Sequence, residues 1–162
     1  MTRIRAESVA VALGLVSMAL MLGALGFQFF ARLPPCELCW WQRYPHIAAI
    51  VVGLIGGGAV TGGLLPRSLA MPIAVLTALL VAASGAIAVY HAGVEWHWWK
   101  GPSACTGGMT SISGPLDLNA PVVMCDHAAW RMFGLSLAGY NAILSLGAAF
   151  LGFLFIARAE KA

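Results

Sequence analysis

VAVALGLVSMALMLGALGFQFFA, residues 9–31, contains no Asp, Glu, Lys or Arg. Three further stretches without these residues follow it, at Tyr44–Pro66, Ser68–Ala92 and Met132–Ala157. A helix needs about 20 apolar residues to cross the hydrocarbon core of a bilayer, so each stretch is long enough. None of them alternates apolar and polar residues as the strands of a membrane barrel do. The sequence therefore predicts an all-α integral membrane protein, built as a bundle of four transmembrane helices.

The overall composition supports a membrane protein. Of the 162 residues, 60% are hydrophobic and 9% are charged, whereas ordinary globular domains carry about 25% charged residues. The formal net charge of +3 is small and the nine basic residues are scattered, so no nucleic-acid surface is expected. Arg3 and Arg5 precede the first stretch, as in a signal peptide. Its apolar run exceeds the usual h-region of about 7–15 residues, so we expect it to remain a span.

We expect a single domain in which the loops joining spans one to two and three to four lie on the same side of the membrane. The spans cover about residues 9–31, 44–65, 69–91 and 132–157, and these two loops cover about 32–43 and 92–131. Basic residues slightly favour the terminal side, with five against four, which predicts cytoplasmic termini. Trp96, Trp98 and Trp99 in the long loop are interpreted as an interfacial aromatic belt.

The four cysteines, Cys36, Cys39, Cys105 and Cys125, all fall in these two loops. Cysteines that served only as small buried hydrophobes would favour the spans, which make up most of the chain. An even number on one aqueous face indicates redox or metal chemistry instead. The first pair has the C-x-x-C spacing of a zinc site, but the second pair is far apart in sequence. Further metal ligands could come from four histidines, His46, His91, His97 and His127.

Redox chemistry is favoured by the stretch PPCELCWWQRYP, residues 34–45. Two prolines suit the start of a helix, which would place Cys36 and Cys39 in its first turn. There the free backbone N–H groups and the helix dipole stabilise a thiolate, and positions i and i+3 share a face. Arg43 follows Cys39 by one turn and would add a fixed positive charge. Pro45 is expected to kink this helix or to mark a restart.

CELCWWQR, a span, and then two cysteines in the next loop resemble the bacterial disulfide bond formation protein B (DsbB) family. YHAGVEWHWW before Cys105 and CDHAAWRMFGLSLAGYN from Cys125 are also similar to this family. The resemblance covers nearly the whole chain. It implies four spans in the bacterial inner membrane, with cytoplasmic termini and one large periplasmic loop. It further implies a protein dithiol:quinone oxidoreductase.

Roles for the four cysteines are implied by the same resemblance. Cys105 and Cys125 would form a disulfide that a periplasmic DsbA-like oxidase reduces, with Cys105 attacked by the partner. Cys125 would then attack Cys36 and release Cys39 as a thiolate facing the quinone. The glycine-rich GPSACTGG stretch around Cys105 is expected to give the partner access.

The resemblance also implies a quinone pocket, to which four residues of this chain are assigned. Arg43 would stabilise the Cys39 thiolate and the developing charge on the quinone, and His91 and Trp130 would lie beside the ring. Gln42 stands where some relatives carry an acidic residue. Ubiquinone is the expected cofactor, with menaquinone as the other candidate. Two alternatives stay open: a vitamin K epoxide reductase-like or paralogous thiol redox enzyme, and a non-enzymatic metal-binding or transport protein.

Overall fold

The protein is described by a computed structural model that covers residues 5–103, 105–106 and 123–160. Its α-helices are α1 (Ala6–Phe29), α2 (Glu37–Ile50), α3 (Gly57–Thr61), α4 (Ala70–Glu95) and α5 (Leu137–Glu160). A π-helical segment, Val51–Gly56, joins α2 to α3 without a break, and a 3₁₀ turn, Arg67–Leu69, leads into α4.

Four helices in the described part of the chain are long and apolar enough to cross a membrane. They are Ala6–Phe29, Glu37–Thr61, Arg67–Glu95 and Leu137–Ala159. The prediction of an all-α bundle with four spanning helices is therefore confirmed, and the chain is a multi-pass membrane protein.

The second helix begins earlier than the charge-free stretch suggested. It starts at Glu37 rather than near residue 44, and it continues through Pro45 without the predicted restart. Arg43, a buried charged residue inside the helix, is accommodated because its side chain donates a hydrogen bond to Gln28 of α1. Proline is tolerated within membrane helices because neighbouring groups satisfy the backbone that it leaves free.

The third and fourth helices also differ from their expected bounds. α4 continues to Glu95, past the expected end at residue 91, so the long loop begins later than predicted. α5 begins at Leu137, because the preceding residues form a two-stranded hairpin of β1 (Arg131–Met132) and β2 (Leu135–Ser136). The hairpin turns through Phe133 and Gly134, which both have positive φ, as a two-residue type I′ turn requires.

Small side chains bring the helices together. α4 packs against α1, α2 and α5, and its fully buried positions are occupied by Ala74, Thr77, Ala78, Val81, Ser84 and Ala88. A Cβ at Gly85 would lie 2.8 Å from Leu146 Cγ of α5, so only glycine permits this close approach. Large side chains such as Leu79 and Phe150 are exposed instead. This distribution is typical of membrane helices, which associate through small residues and turn large apolar ones toward lipid.

We predict that Gly53→Ala destabilises the bundle. A Cβ at Gly53 would lie 2.6 Å from the backbone oxygen of Ala10 and 3.0 Å from Gly14 Cα, and neither backbone atom can turn aside. Overpacking of this kind costs about 1–3 kcal/mol. The measurement is thermal unfolding in detergent. Gly58→Ala is the matched control, because a Cβ there meets nothing within 4 Å. Equal stability of the two variants would contradict the packing described.

Candidate functional site

Cys36 and Cys39 lie at the beginning of α2. Cys36 is the extended N-cap residue, and its sulfur accepts a hydrogen bond from the Cys39 backbone N–H at 3.2 Å. The two sulfur atoms are 2.7 Å apart, and both cysteines are free thiols. The placement of this pair at a helix start, predicted from the two preceding prolines, agrees with the structure.

The two thiols of this pair are not equivalent. The hydrogen bond between Cys36 and Cys39, together with burial, raises the pKa of Cys36. Cys36 is buried, whereas Cys39 is partly exposed. Of the two thiols, Cys36 therefore holds its proton more strongly, which favours negative charge on the Cys39 sulfur over the Cys36 sulfur.

The other two cysteines form a disulfide. Cys105 and Cys125 are bonded, and the Cys125 N–H donates to the Cys105 carbonyl at 2.7 Å. Both are buried, and they pack with Cys36, Leu38 and Val94 in one cluster. The structure thus brings all four cysteines together. Cys105 is only 5% exposed, so the access expected from the surrounding glycine-rich stretch is not seen in this arrangement.

Arg43 is a buried cation. Its side chain is largely enclosed, with Nη1 donating to Gln28 Oε1 at 2.7 Å and Cζ 4.9 Å from the centre of the Trp40 ring. Within the described residues, no carboxylate oxygen lies within 4.0 Å of its guanidinium nitrogens. An ionisable side chain inside a membrane protein is expensive and marks functional sites. The charge of Arg43 remains available to an anionic or electron-rich group.

His91 and Glu95 occupy successive turns of α4 beside the first cysteine pair. His91 Nε2 is 3.6 Å from Cys36 Sγ and 3.7 Å from Glu95 Oε1. The other oxygen of Glu95, Oε2, is buried and has no hydrogen-bond partner among the described residues. The sequence predicts His91 as a site residue but not Glu95, because the residues after 91 are expected to form a loop. The i, i+4 spacing of the two residues was the available signal.

Gln42 connects α2 to α4 and α5. Its Nε2 donates to His91 Nδ1 at 2.8 Å and to the Leu38 carbonyl at 3.0 Å, and its Oε1 accepts from Asn141 at 2.9 Å. The carbonyl of Gln42 accepts from the Ser84 hydroxyl. Gln42 therefore touches His91 through its amide nitrogen.

Asn141 extends this contact into a longer network. Its Oδ1 accepts from Ser145 at 2.7 Å and lies 3.0 Å from His46 Nε2, while His46 Nδ1 is 3.2 Å from the Ser17 hydroxyl. From the sequence, His46 is expected only as a metal ligand. Ser17, Asn141 and Ser145 are not expected to take part in the site. Their signal was weak: isolated uncharged polar residues within apolar stretches, spaced i, i+4 in the case of Asn141 and Ser145.

A cavity of about 300 Å³ lies between the helices and the loop. Six of the eight residues predicted for the site line it, namely Cys36, Cys39, Gln42, Arg43, His91 and Trp130. Trp130 packs against Phe27 of α1, with ring centres 4.9 Å apart, and closes one wall. The remaining two, Cys105 and Cys125, lie in the cysteine cluster but not on the cavity wall.

Comparison with known proteins places this arrangement in a family. The family model of disulfide bond formation protein DsbB matches residues 6–155. A disulfide bond formation protein B of Azoarcus sp. (strain BH72) is 32% identical over 146 residues, covering 81% of this chain and 80% of that protein. An uncharacterized protein of Rickettsia prowazekii is 26% identical over 127 residues, 74% of this chain and 69% of its own length.

A disulfide bond formation protein B of Burkholderia thailandensis is 38% identical over 82 residues, 51% of this chain. That alignment spans 44% of the Burkholderia protein, less than half its length. No solved structure gives a significant match. The family match covers the whole bundle that holds the two cysteine pairs, and the chain therefore belongs to the DsbB family of disulfide bond formation proteins.

Proposed function

We propose that this membrane protein is a quinone-linked thiol oxidase, which reoxidises a periplasmic DsbA-like dithiol oxidase and passes the electrons to a membrane quinone. The observation that carries the proposal is the convergence on one cavity of a free cysteine pair, an imidazole and a buried arginine that has no carboxylate partner among the described residues. The cavity lies where the second spanning helix begins. An oxidant dissolved in the bilayer can reach reactive groups only at such a boundary.

A quinone headgroup suits the residues of this cavity. Binding pockets for small molecules are mostly apolar with a few polar groups that fix orientation, and they begin at about 300 Å³. Leu20, Phe27 and Leu144 supply apolar walls, while Arg43 and His91 supply nitrogen atoms near the cysteine pair. A flat ring with two carbonyl acceptors matches this set. We propose ubiquinone as the cofactor and keep menaquinone as the other candidate, because both share these features.

The side chains around the pair prepare it for oxidation. When bound, a quinone accepts two electrons and two protons, while the two thiols become a disulfide. Arg43 holds a permanent positive charge one turn after Cys39, which favours the thiolate there and negative charge on a nearby oxygen. The hydrogen bond to Cys39 and burial both raise the pKa of Cys36 and so favour its protonated form. Trp130 and Phe27 keep water from this part of the cavity.

Electrons reach this pair by thiol–disulfide exchange. The partner's thiolate attacks Cys105, the disulfide to Cys125 breaks, and Cys125 leaves as a thiolate. Cys125 then attacks Cys36 of an oxidised first pair and releases Cys39, so that each bond broken is replaced by one formed. The common burial of these sulfurs supports a direct second exchange. Because Cys105 is buried, the first exchange requires the chain around it to move outward.

The proposed location is the bacterial inner membrane, with both termini in the cytoplasm and all four cysteines on the periplasmic side. Two features support this orientation. The cysteines form one cluster at the loop end of the bundle, and disulfide chemistry needs an oxidising compartment. The exposed side chains of Trp96, Trp98 and Trp99 lie at the same end, as an interfacial belt would.

Reconstitution tests the function directly. Purified protein mixed with a reduced DsbA-like partner and ubiquinone should couple loss of partner thiols to quinone reduction. Cys39→Ser should abolish quinone reduction, whereas Cys105→Ser should block exchange with the partner and leave oxidation of the first pair by quinone intact. Thiol titration measures the exchange with the partner, and quinone absorbance measures the reduction of the quinone. Normal turnover by Cys39→Ser would show that the order of transfer is wrong.

Removal of Arg43 should affect only the quinone half of the reaction. Loss of a charged hydrogen-bond donor costs about 1.5–3 kcal/mol, so we expect Arg43→Ala to raise the quinone KM by about tenfold or more. Arg43→Lys should restore part of the loss, because lysine keeps the charge but not the planar fork. Arg32→Ala is the control, since Arg32 is an exposed arginine near the same boundary. Equal KM values in Arg43→Ala and wild type would leave Arg43 as a structural anchor.

Labelling of intact cells tests the orientation. After mild reduction, a membrane-impermeant thiol reagent should modify the cysteines from the periplasmic side. The control is a variant that lacks all four cysteines and should show no signal. Modification that occurs only after the cells are lysed would place the cysteines in the cytoplasm.

A further inference from the structure

The orientation of the Gln42 amide is fixed by a backbone carbonyl. The Leu38 oxygen can only accept a hydrogen bond, so the Gln42 atom 3.0 Å from it must be the amide nitrogen. The same nitrogen lies 2.8 Å from His91 Nδ1. Its two hydrogens therefore go to these two partners, and His91 Nδ1 is the acceptor.

A second anchor fixes Asn141 independently. The Ser84 hydroxyl donates its single hydrogen to the Gln42 carbonyl at 2.9 Å, so it can only accept from Asn141 Nδ2 at 3.2 Å. With Nδ2 on that side, Asn141 also donates to Gln42 Oε1 at 2.9 Å. Both anchors give the same orientation of Gln42, because its oxygen receives a hydrogen bond and its nitrogen donates two.

We propose that Gln42, held by Asn141 and Ser84, locks His91 in the tautomer that carries its proton on Nε2. A neutral imidazole has one donor and one acceptor nitrogen, and Nδ1 is the acceptor here. The Nε2–H group then faces Cys36 Sγ at 3.6 Å and Glu95 Oε1 at 3.7 Å. Gln42, Asn141 and Ser84 are positioning residues that act on the cysteine pair through His91.

This tautomer determines how His91 can assist the redox pair, and this step rests on the proposed function. A donor aimed at the Cys36 sulfur stabilises negative charge there when Cys36 gives up its proton as the bond to Cys39 forms. The opposite tautomer would present a lone pair and remove the Cys36 proton as a base. The lock assigns His91 the first role and leaves the Cys36 proton to its hydrogen bond with Cys39.

The same lock discourages metal capture. Cys36, Cys39 and His91 place their ligand atoms within 4.8 Å of one another, close enough to share one ion. Zinc binds histidine through an unprotonated nitrogen. The unprotonated nitrogen of His91 is Nδ1, which points to Gln42 and away from the sulfurs. The reduced pair is therefore kept from completing a Cys₂His site.

NMR of ¹⁵N-histidine-labelled full-length protein tests the lock without any substitution in the network. In reduced protein, the His91 signals, identified by their loss in His91→Asn, should show a protonated Nε2 and a pyridine-type Nδ1. A protonated Nδ1 in the wild type would overturn the proposal. Neither quinone nor partner is needed. If the protein shows the expected His91 tautomer but does not reduce quinone, the proposed function is wrong and the proposed tautomer is still correct.

Gln42→Glu is the sharpest variant. A carboxylate can only accept a hydrogen bond, so His91 Nδ1 should become protonated and donate to it. In the neutral ring, His91 Nε2 then carries the lone pair, which faces the two sulfur atoms. Zinc affinity of the reduced first pair, measured in a Cys105→Ser/Cys125→Ser background, should rise on the order of tenfold to a hundredfold. An unchanged NMR pattern with unchanged zinc affinity would overturn the proposal.

Two hydroxyls of α4 provide a matched pair for the remote part of the network. Ser84→Ala should shift the His91 nitrogen signals toward the other tautomer, because Asn141 loses the acceptor that orients it and only the Leu38 anchor still holds Gln42. Thr77→Val should retain the wild-type pattern, since the Thr77 hydroxyl is equally buried but donates only to the Ile73 carbonyl of its own helix. Identical spectra from the two variants would exclude Ser84 from the lock.

Discussion

The hydrogen bond from the Gln42 amide to His91 Nδ1 joins the helix that begins with the cysteine pair to the helix that lies beside it. Lipid offers no partner to a polar side chain, so each polar group within the bundle must find one in the protein. Gln42 finds three on three different elements: Leu38, His91 and Asn141. The rotation of α2, α4 and α5 about their axes is thereby coupled to the geometry at the cysteines.

This coupling is possible only because the helices approach closely. Gly85 lets α5 pack directly on α4, and Gly53 lets the second spanning helix reach the backbone of α1. Separation by one larger side chain at either place would lengthen hydrogen bonds between helices that are now 2.8 to 3.2 Å. The small residues of the core therefore serve the site as well as the packing, although they lie far from any sulfur.

The four spans and the placement of the first cysteine pair could be predicted from the sequence, because each depends on a short, continuous stretch of residues. Apolar stretches without charges predict the four spans, and two prolines before a C-x-x-C pair predict a helix start that holds both cysteines. Arg43 follows by one turn of that helix. Glu95 was missed because a charged residue near tryptophans resembles a loop, although α4 carries it to the site. The contact between Gln42 and His91 could not be predicted, because it depends on how two helices rotate against each other.

The two exchange steps of the proposed function place opposite demands on Cys105. The first requires this sulfur to meet another protein, whereas the second requires Cys125 to lie against Cys36 away from water. The arrangement seen suits the second step, with Cys36, Cys105 and Cys125 buried in one cluster and the partly buried Cys39 packed against it. Gly101 permits it, because a Cβ there would lie 2.8 Å from Val94 Cγ1 at the end of α4. In the proposed exchange with a partner, Cys105 must therefore leave the cluster that it forms with Leu38 and Val94, whereas Cys39 and Arg43 are held in place by α2 itself.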